Sequence, residues 1–196
     1  MDAVTLLRND HRTVEGLFKK FEKAGPNAHK TKKDLVEKII EELSIHAAIE
    51  EQVLYPAARK AVPDASDEVL EALEEHHIVK WVLSELDGME PTDERFQAKV
   101  TVLIENVRHH VEEEEDDLFP QLRKAMKRKE LEELAQAMEK AKDIAPTHPH
   151  PRAPDTPPGN IVAGVAAGAV DRAQDTGKKT VRKILGRSRS RERKAG

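Results

Sequence analysis

A duplicated helical pattern is the feature of this sequence that constrains its fold most. The segment from His46 to Pro56, HAAIEEQVLYP, aligns with the segment from His110 to Pro120, HVEEEEDDLFP, at a constant offset of 64 residues. A second pair of segments, in which His11 aligns with a later histidine, repeats at an offset of 65 residues. Apolar residues recur in all four segments at the period of an amphipathic helix. The sequence therefore predicts two helical hairpins of one pattern joined head to tail.

The apolar period predicts four main helices and one shorter helix. They are expected over roughly 2–24, 31–54, 66–86, 92–118 and 129–143. Turn-forming residues such as Gly25 and Gly88 separate the helices, and the connections are short. Short connections favour antiparallel neighbours, and the 3% of aromatic residues argues against a β-sandwich or barrel. The predicted fold is an all-α, up-down four-helix bundle.

Charge divides the chain into an acidic body and a basic tail. Residues 1–150 carry 33 acidic against 22 basic side chains, whereas residues 151–196 carry 4 acidic against 11 basic. A proline-rich stretch marks the boundary, because prolines lack a backbone donor and do not continue a helix. We expect a bundle domain over 1–145, an extended linker over 146–160, and a basic tail over 161–196 that is partly helical or disordered.

The sequence lacks the signals of several protein classes. It has no cysteine, which excludes disulfides, thiolate metal sites and iron–sulfur clusters. No apolar run approaches the ~20 residues of a membrane span, and the N-terminus has no secretory signal. Glycine-rich phosphate loops and the GxSxG and HExxH motifs are absent from the sequence. A cytoplasmic protein without a transmembrane segment is therefore expected.

Six ionisable residues of the duplicated segments fall on the apolar stripes of the four main helices. They are His11, His46, Glu50, His76, His110 and Glu114. Burial of unpaired ionised groups is costly, so proteins keep such groups in a core when they are paired or bind a metal. The HxxxE spacing puts a histidine and a glutamate one helical turn apart, so both can reach one ion. This set suits iron, manganese or zinc. A purely structural bundle whose core histidines are only hydrogen-bonded is the alternative.

Three residues near the candidate site have open roles. His77 and His109 fall beside the stripes, and we interpret them as surface or outer-shell residues. Tyr55 would supply a phenolate only if the second helix bends near Pro56, because its helical phase points it away from the stripe. The acidic run over 112–117 is expected mostly to form a solvated face.

With these motifs the sequence resembles the hemerythrin family, specifically its HHE cation-binding branch. The similarity covers about residues 5–125 and consists of two single histidines and two HxxxE motifs followed by YP or FP. The resemblance implies a non-haem di-iron centre, oxo- or hydroxo-bridged, in a four-helix bundle. Two glutamates would bridge the irons, and four histidines would divide between them. Carried over by position, the implied ligands are His11, His46, Glu50, His76, His110 and Glu114.

The chain departs in two places from the oxygen-carrying members of that family. Lys80 stands one turn after His76, where those members have a second histidine, and Glu114 lies four residues after His110 instead of an aspartate at five. The missing imidazole leaves about two coordination positions open. We therefore expect the centre to bind or reduce dioxygen, peroxide or nitric oxide, with peroxide disproportionation as one outcome. A non-enzymatic iron- or oxygen-responsive sensor is the alternative.

A ferritin-like di-iron protein is the nearest competing class. Such proteins need two ExxH motifs on facing helices. This chain has only Glu74 and His77 at that spacing, on the face that points away from the stripe. A ferritin-like centre is therefore not expected.

The basic tail predicts a separate contact that depends on charge. Lys178, Lys179, Arg182 and Lys183 surround a few apolar residues, so this segment could lie on an anionic membrane surface or contact nucleic acid. It has no aromatic residue for base stacking, so sequence-specific recognition of nucleic acid is not expected. A disordered tail, or one that folds back on the acidic body, is the simpler interpretation.

Overall fold

The computed structural model describes the backbone of residues 1–192 and the side chains of residues 1–177. All regular structure in this part is helical. Its α-helices are α1 (Ala3–Lys23), α2 (His29–Ile49), α3 (Tyr55–Ala61), α4 (Ser66–Asp87), α5 (Phe96–Glu113), α6 (Phe119–Ala125), α7 (Arg128–Lys142) and α8 (Gly159–Glu192). The bundle consists of α1, α2, α4 and α5. The predicted all-α bundle is confirmed.

A π-helical turn interrupts the second and the fourth helix of the bundle. The first π turn, Glu50–Leu54, joins α2 to α3, and the second π turn, Glu114–Leu118, joins α5 to α6. A proline, Pro56 or Pro120, follows each turn. Its ring would clash in a regular helix with the carbonyl four residues earlier. Hydrogen bonding across five residues widens the turn and accommodates the ring.

The π turns correct two of the helix ends expected from the sequence. Helices predicted to end near 54 and 118 continue to Ala61 and Ala125. The continuation is possible because each proline lies near the start of a new α-helical segment, where its missing N–H costs little.

Two apolar clusters fill the bundle and leave a polar layer between them. Leu7 and Leu73 belong to the cluster at the end of the bundle where the π turns lie, and Val14 and Val79 belong to the cluster at the other end. His11 lies between Leu7 and Val14 on the buried face of α1. The stripes predicted from the sequence are therefore buried, with their ionisable residues between the clusters.

The chain after the bundle packs back onto it. Helix α7 lies against α1 and α2. Helix α8 lies within the tail, for which partial helix or disorder is predicted from the sequence, and its first turns pack on the bundle through small residues such as Gly164. The basic side chains beyond residue 177, on which the predicted contact with an anionic surface depends, lie outside the described residues. None of the described helices combines the length and apolar character needed to cross a bilayer.

Replacing Leu83 with alanine should lower the free energy of unfolding by about 2–5 kcal/mol, because a fully buried side chain of the second cluster is lost and a cavity remains. Urea denaturation followed by circular dichroism measures this change. The matched control is Val102→Ala, whose side chain is 48% exposed and whose effect should stay within about 0.5 kcal/mol. Equal losses in the two variants would contradict this position of the core.

Candidate metal centre

The six ionisable residues predicted to bind metal lie together in the polar layer. Each bundle helix supplies one histidine, and each π turn supplies one glutamate. They are His11 on α1, His46 on α2, Glu50 in the first π turn, His76 on α4, His110 on α5 and Glu114 in the second π turn. None is more than 6% exposed. The fold thus brings all six together from four separate segments.

The histidines form two facing pairs. The Nε2 atoms of His11 and His46 are 3.2 Å apart, and those of His76 and His110 are 3.1 Å apart. Two nitrogens that each lie about 2.1 Å from one ion, at right angles to each other, are separated by about 3 Å. Each pair therefore has the spacing of two neighbouring ligands of a single ion.

Glu50 lies between the two pairs. Its Oε1 is 3.2 Å from Nε2 of His46, and its Oε2 is 3.4 Å from Nε2 of His76. One carboxylate oxygen thus faces each pair, which is the arrangement expected of a ligand shared by two ions.

Glu114 enters the layer from the other hairpin. Its Oε2 is 3.4 Å from Nε2 of His11 and 3.8 Å from Nε2 of His110. The six residues form two buried groups, and within each group the donor atoms all lie within 4.8 Å of one another. They are His11, His46, Glu50 and Glu114 in one group and Glu50, His76 and His110 in the other.

The buried carboxylates lack the hydrogen bonds that their burial demands. Neither oxygen of Glu50 has a hydrogen-bond partner, and neither does Oε2 of Glu114. An unsatisfied buried acceptor costs about 1–3 kcal/mol, and more when it is charged. A cation within reach of these oxygens and of the imidazole nitrogens would satisfy all of them. Imidazole and carboxylate ligands suit first-row transition metals, so the residues present fit a metal centre.

A carboxylate faces the outer nitrogen, Nδ1, of every histidine in the layer. Three are hydrogen bonds: His11 with Glu115 at 2.9 Å, His76 with Glu51 at 3.1 Å and His110 with Glu75 at 2.7 Å. Asp10 lies 3.7 Å from Nδ1 of His46, which is too far for a hydrogen bond. Because an ionised carboxylate only accepts, it favours the tautomer in which Nδ1 carries the proton. The lone pair of Nε2 is then directed to the centre, as in histidines that bind metals.

Sequence reasoning missed these four carboxylates. Glu115 lies in the acidic run expected to be mostly solvated, but the wide π turn directs it towards His11. The duplication carried a signal that could have identified the set. Asp10 and Glu75 are 65 residues apart, and Glu51 and Glu115 are 64 apart, which are the offsets of the histidines and glutamates that they flank.

Cationic side chains hold three of the outer carboxylates. The pairs are Lys142 with Asp10 at 2.5 Å, Lys80 with Glu51 at 2.8 Å and Arg8 with Glu115 at 3.4 Å. Lys80 stands at the position where the oxygen-carrying pattern has a histidine. It therefore contacts the candidate centre through Glu51 and His76, without itself donating to an ion.

Burial controls the proton affinity of the candidate ligands. It lowers the pKa of His46 to about 4 and also lowers the pKa of His76, so both imidazoles are neutral at pH 7. Burial and the negative charge of Glu114 raise the pKa of Glu50 well above its usual value. Neutral imidazoles are ready to donate to a metal, whereas Glu50 keeps a proton until an ion replaces it.

His110 and Glu114 each favour the charged form of the other. Burial opposes the charge of both groups, but their mutual attraction outweighs it. The neighbouring His110 and His11 lower the pKa of Glu114, while Glu114 and Glu75 raise the pKa of His110. Because the pKa of His110 is raised, a proton competes with a metal for its Nε2, and the affinity falls as the pH falls.

The residues that follow the two π turns make the layer asymmetric. The Tyr55 hydroxyl donates to Oε1 of Glu114 at 3.0 Å and lies 3.3 Å from Nε2 of His76. Burial and the charge of Glu114 raise the pKa of Tyr55, so the phenol stays protonated at neutral pH. The duplicate residue, Phe119, stacks on the ring of His11 with centroids 5.8 Å apart. One half of the layer thus has a hydroxyl where the other has only a hydrocarbon ring.

The first π turn explains why Tyr55 reaches the layer. The backbone N–H of Tyr55 donates to the carbonyl of Glu50, five residues earlier. One wide turn therefore separates the two residues, and Tyr55 lies on nearly the same face of the helix as Glu50. The expectation that its helical phase directs it away from the stripe is therefore wrong. A regular α-helix was assumed, and the turn before Pro56 is not one.

A small apolar cavity adjoins the histidines. Its lining comprises Val14, Leu43, Ala47, Val79, Val107 and Val111, with the four histidines of the layer at one side. It has room for about one molecule of the size of water. A small neutral ligand next to the centre would thus lie mainly against hydrocarbon side chains.

His77 and His109 lie outside the polar layer. Both are exposed: His77 accepts from the indole N–H of Trp81 at 3.1 Å, and His109 lies 3.3 Å from a Glu113 oxygen. Glu74 is also exposed, so the single ExxH motif faces solvent and does not contribute to the buried centre.

Comparisons with known proteins point to one family. The sequence profile of the hemerythrin HHE cation-binding domain matches residues 2–122. An uncharacterised hemerythrin-like protein of Schizosaccharomyces pombe is 31% identical over 167 residues, which cover 85% of this chain and 81% of that protein. A DNA nickase of a Nostoc species is 28% identical over 142 residues, which cover 72% of this chain but only 39% of that protein.

A solved structure agrees with this result. The crystal structure of a hemerythrin HHE cation-binding domain-containing protein from Mycobacterium kansasii superposes with a TM-score of 0.62 at 26% sequence identity. The match covers 73% of this chain and 86% of that one.

The isosteric change Glu50→Gln should stabilise the metal-free protein at pH 7.5 by about 1–3 kcal/mol, because it removes a buried acid whose ionisation is unfavourable. The folded state keeps the Glu50 proton to a higher pH than the unfolded state does, so this residue's contribution to stability is lost as the pH rises. The advantage of the variant should therefore be small near pH 4 and grow above it.

Urea denaturation of the two metal-free proteins between pH 4 and 8 measures this difference. Glu41→Gln is the matched control, because this exposed glutamate lies on the same helix as His46. A Glu50→Gln variant that is less stable than the wild type at pH 7.5 would contradict an unsatisfied carboxylate in the core.

Proposed function

Because this chain belongs to the hemerythrin HHE cation-binding domain family, we propose that its bundle core holds two iron ions and that this centre binds or reduces a small oxidant. The ligands are the four buried histidines and the two buried glutamates of the polar layer. The oxidant is a diatomic molecule or peroxide: dioxygen, nitric oxide or hydrogen peroxide. When bound, the irons supply an electron-transfer centre for that molecule.

The pairing of the histidines supports two ions over one. The two Nε2 pairs are separate, each has the spacing of neighbouring ligands, and Glu50 presents one oxygen to each pair. A single ion cannot use both pairs at their present spacing together with both oxygens of that carboxylate. Two ions would have all four histidines as ligands, with Glu50 and Glu114 within reach of both.

The protein's own residues hold the centre in three ways. The outer carboxylates orient the imidazoles, and they are themselves held by Lys142, Lys80 and Arg8. Glu50 and Glu114 offset part of the positive charge of the ions in a layer that water does not reach. The apolar cavity would place a bound oxidant mainly against hydrocarbon side chains.

Tyr55 is the proton donor best placed for reduction of an oxidant. Its hydroxyl is inside the layer, protonated at neutral pH and 3.0 Å from Oε1 of Glu114. Two-electron reduction of peroxide to water consumes two protons, and the Tyr55 hydroxyl can deliver one of them. Phe119, the duplicate residue, has no proton to give, so this chemistry is confined to one half of the centre.

A metal-responsive module without turnover is the alternative function. In that case iron or oxygen would order the bundle, and the basic tail would engage an anionic partner. Metal binding to the folded state alone raises the melting temperature under both functions, so turnover of the oxidant is the property that separates them.

Replacing His110 with alanine should reduce the iron content well below two ions per chain, because one of the two nitrogens of the second pair is lost. Metal analysis of the purified variant measures this content. His109→Ala is the matched control, since that neighbouring histidine is exposed and is not one of the six proposed ligands. Full iron occupancy in His110→Ala would contradict the ligand assignment.

Hydrogen peroxide added to the iron-loaded protein should release dioxygen, one molecule for every two of peroxide consumed, and Tyr55→Phe should slow this release by about 10²-fold or more. An oxygen electrode records the rate. Iron content must be equal in the two proteins for the comparison. Iron-loaded protein that binds peroxide or nitric oxide but releases no dioxygen would favour the sensor.

A further inference from the structure

The first π turn leaves the carbonyl of Glu51 without a donor from its own helix. In a regular helix this carbonyl would accept from the N–H of Tyr55, but that N–H bonds to Glu50. The next N–H along the chain would belong to Pro56, which has none. The turn that carries a candidate ligand, Glu50, and its outer carboxylate, Glu51, therefore contains an orphaned buried acceptor.

The second π turn also leaves a carbonyl without a donor from its own helix, and a side chain of the bundle donates to that carbonyl. The N–H of Phe119 bonds to Glu114, and Pro120 has no N–H. The carbonyl of Glu115 accepts instead from Nη2 of Arg8 at 3.2 Å. A cation on α1 thus completes the hydrogen bonding of the turn that carries Glu114.

The second hairpin has no counterpart of Arg8 that can donate to the Glu51 carbonyl of the first π turn. The residue that corresponds to Arg8, at the offset of 65, is Leu73, which has no polar group. The missing donor comes from outside the bundle. Nδ2 of Asn160, in the first turn of α8, donates to the carbonyl of Glu51 at 3.0 Å and is itself only 3% exposed.

The packing of α8 fixes Asn160 at that position. Gly164 and Gly168 lie one and two turns further along the same face, and a Cβ on either would lie 2.6 Å from a Gln52 side-chain atom or 2.3 Å from the Ile144 carbonyl. Asp171, on the same face, accepts from the backbone N–H of Thr147 at 3.1 Å. Such close approach holds the helix in one register against the first π turn.

We propose that Asn160 is a positioning residue of the metal centre, and that α8 therefore completes the candidate site. Asn160 satisfies the Glu51 carbonyl and thereby fixes the first π turn, which sets the directions of Glu50, Glu51 and Tyr55. The inference rests on the proposed metal centre for its functional meaning, but the hydrogen bond and its effect on the turn are independent of metal.

The isosteric change Asn160→Asp tests this role, because an ionised carboxylate cannot donate to the carbonyl. In the metal-free full-length protein, hydrogen exchange of the amides of Leu54 and Tyr55 should become about tenfold faster, while the amides of the second π turn stay unchanged. Arg8→Leu should give the mirror result, with faster exchange in the second turn only. Asn27→Asp, at an exposed loop asparagine, should change neither.

The functional readout is the release of iron to a chelator. Asn160→Asp should release iron about tenfold faster than the wild type, with a shifted charge-transfer spectrum, and Asn27→Asp should match the wild type. Unchanged exchange at Leu54 and Tyr55, or equal acceleration in both turns, would overturn the proposal whether or not the wild type binds iron. Altered exchange in a protein that never binds iron would contradict the proposed function and leave the role of Asn160 in the turn supported.

Discussion

Six buried ionisable side chains between two apolar clusters are the constraint on which the rest of this structure depends. Four histidines and two glutamates with almost no exposed surface would cost more free energy than a small bundle can spare, unless each finds a partner. Carboxylates face their outer nitrogens, and cations hold three of those four carboxylates. The inner nitrogens and the Glu50 oxygens face one another, an arrangement suited to binding a metal.

Duplication makes this layer nearly symmetric, and the departures from symmetry are where the chemistry differs. Each half contributes two histidines, one glutamate and two outer carboxylates. Tyr55 and Phe119 break the symmetry inside the layer, so only one half carries a hydroxyl. Arg8 and Asn160 break it outside the layer, because the second π turn takes its donor from α1 and the first π turn takes its donor from α8. The segment beyond the bundle is thus part of the architecture of the site.

The sequence predicted the bundle and brought together the six candidate ligands because both depend on helical period, which the chain repeats twice. It did not predict the π turns, because a proline ordinarily indicates the end of a helix. The period of a regular α-helix then places Tyr55 on the wrong face. Glu51 and Glu115 were missed for a related reason: a carboxylate in an acidic run is ordinarily solvated, and only the widened turn directs these two inward. The packing of α8 depends on contacts between distant segments, such as Gly168 with Ile144, that no local pattern encodes.

Metal analysis of the wild-type protein purified in air, combined with its optical spectrum, tests the central claim most directly. The account predicts about two irons per chain, one for each histidine pair, and near-ultraviolet charge-transfer bands. A colourless, well-folded protein that remains empty after anaerobic loading with iron would contradict it. The polar layer would then be a structural network of hydrogen-bonded histidines.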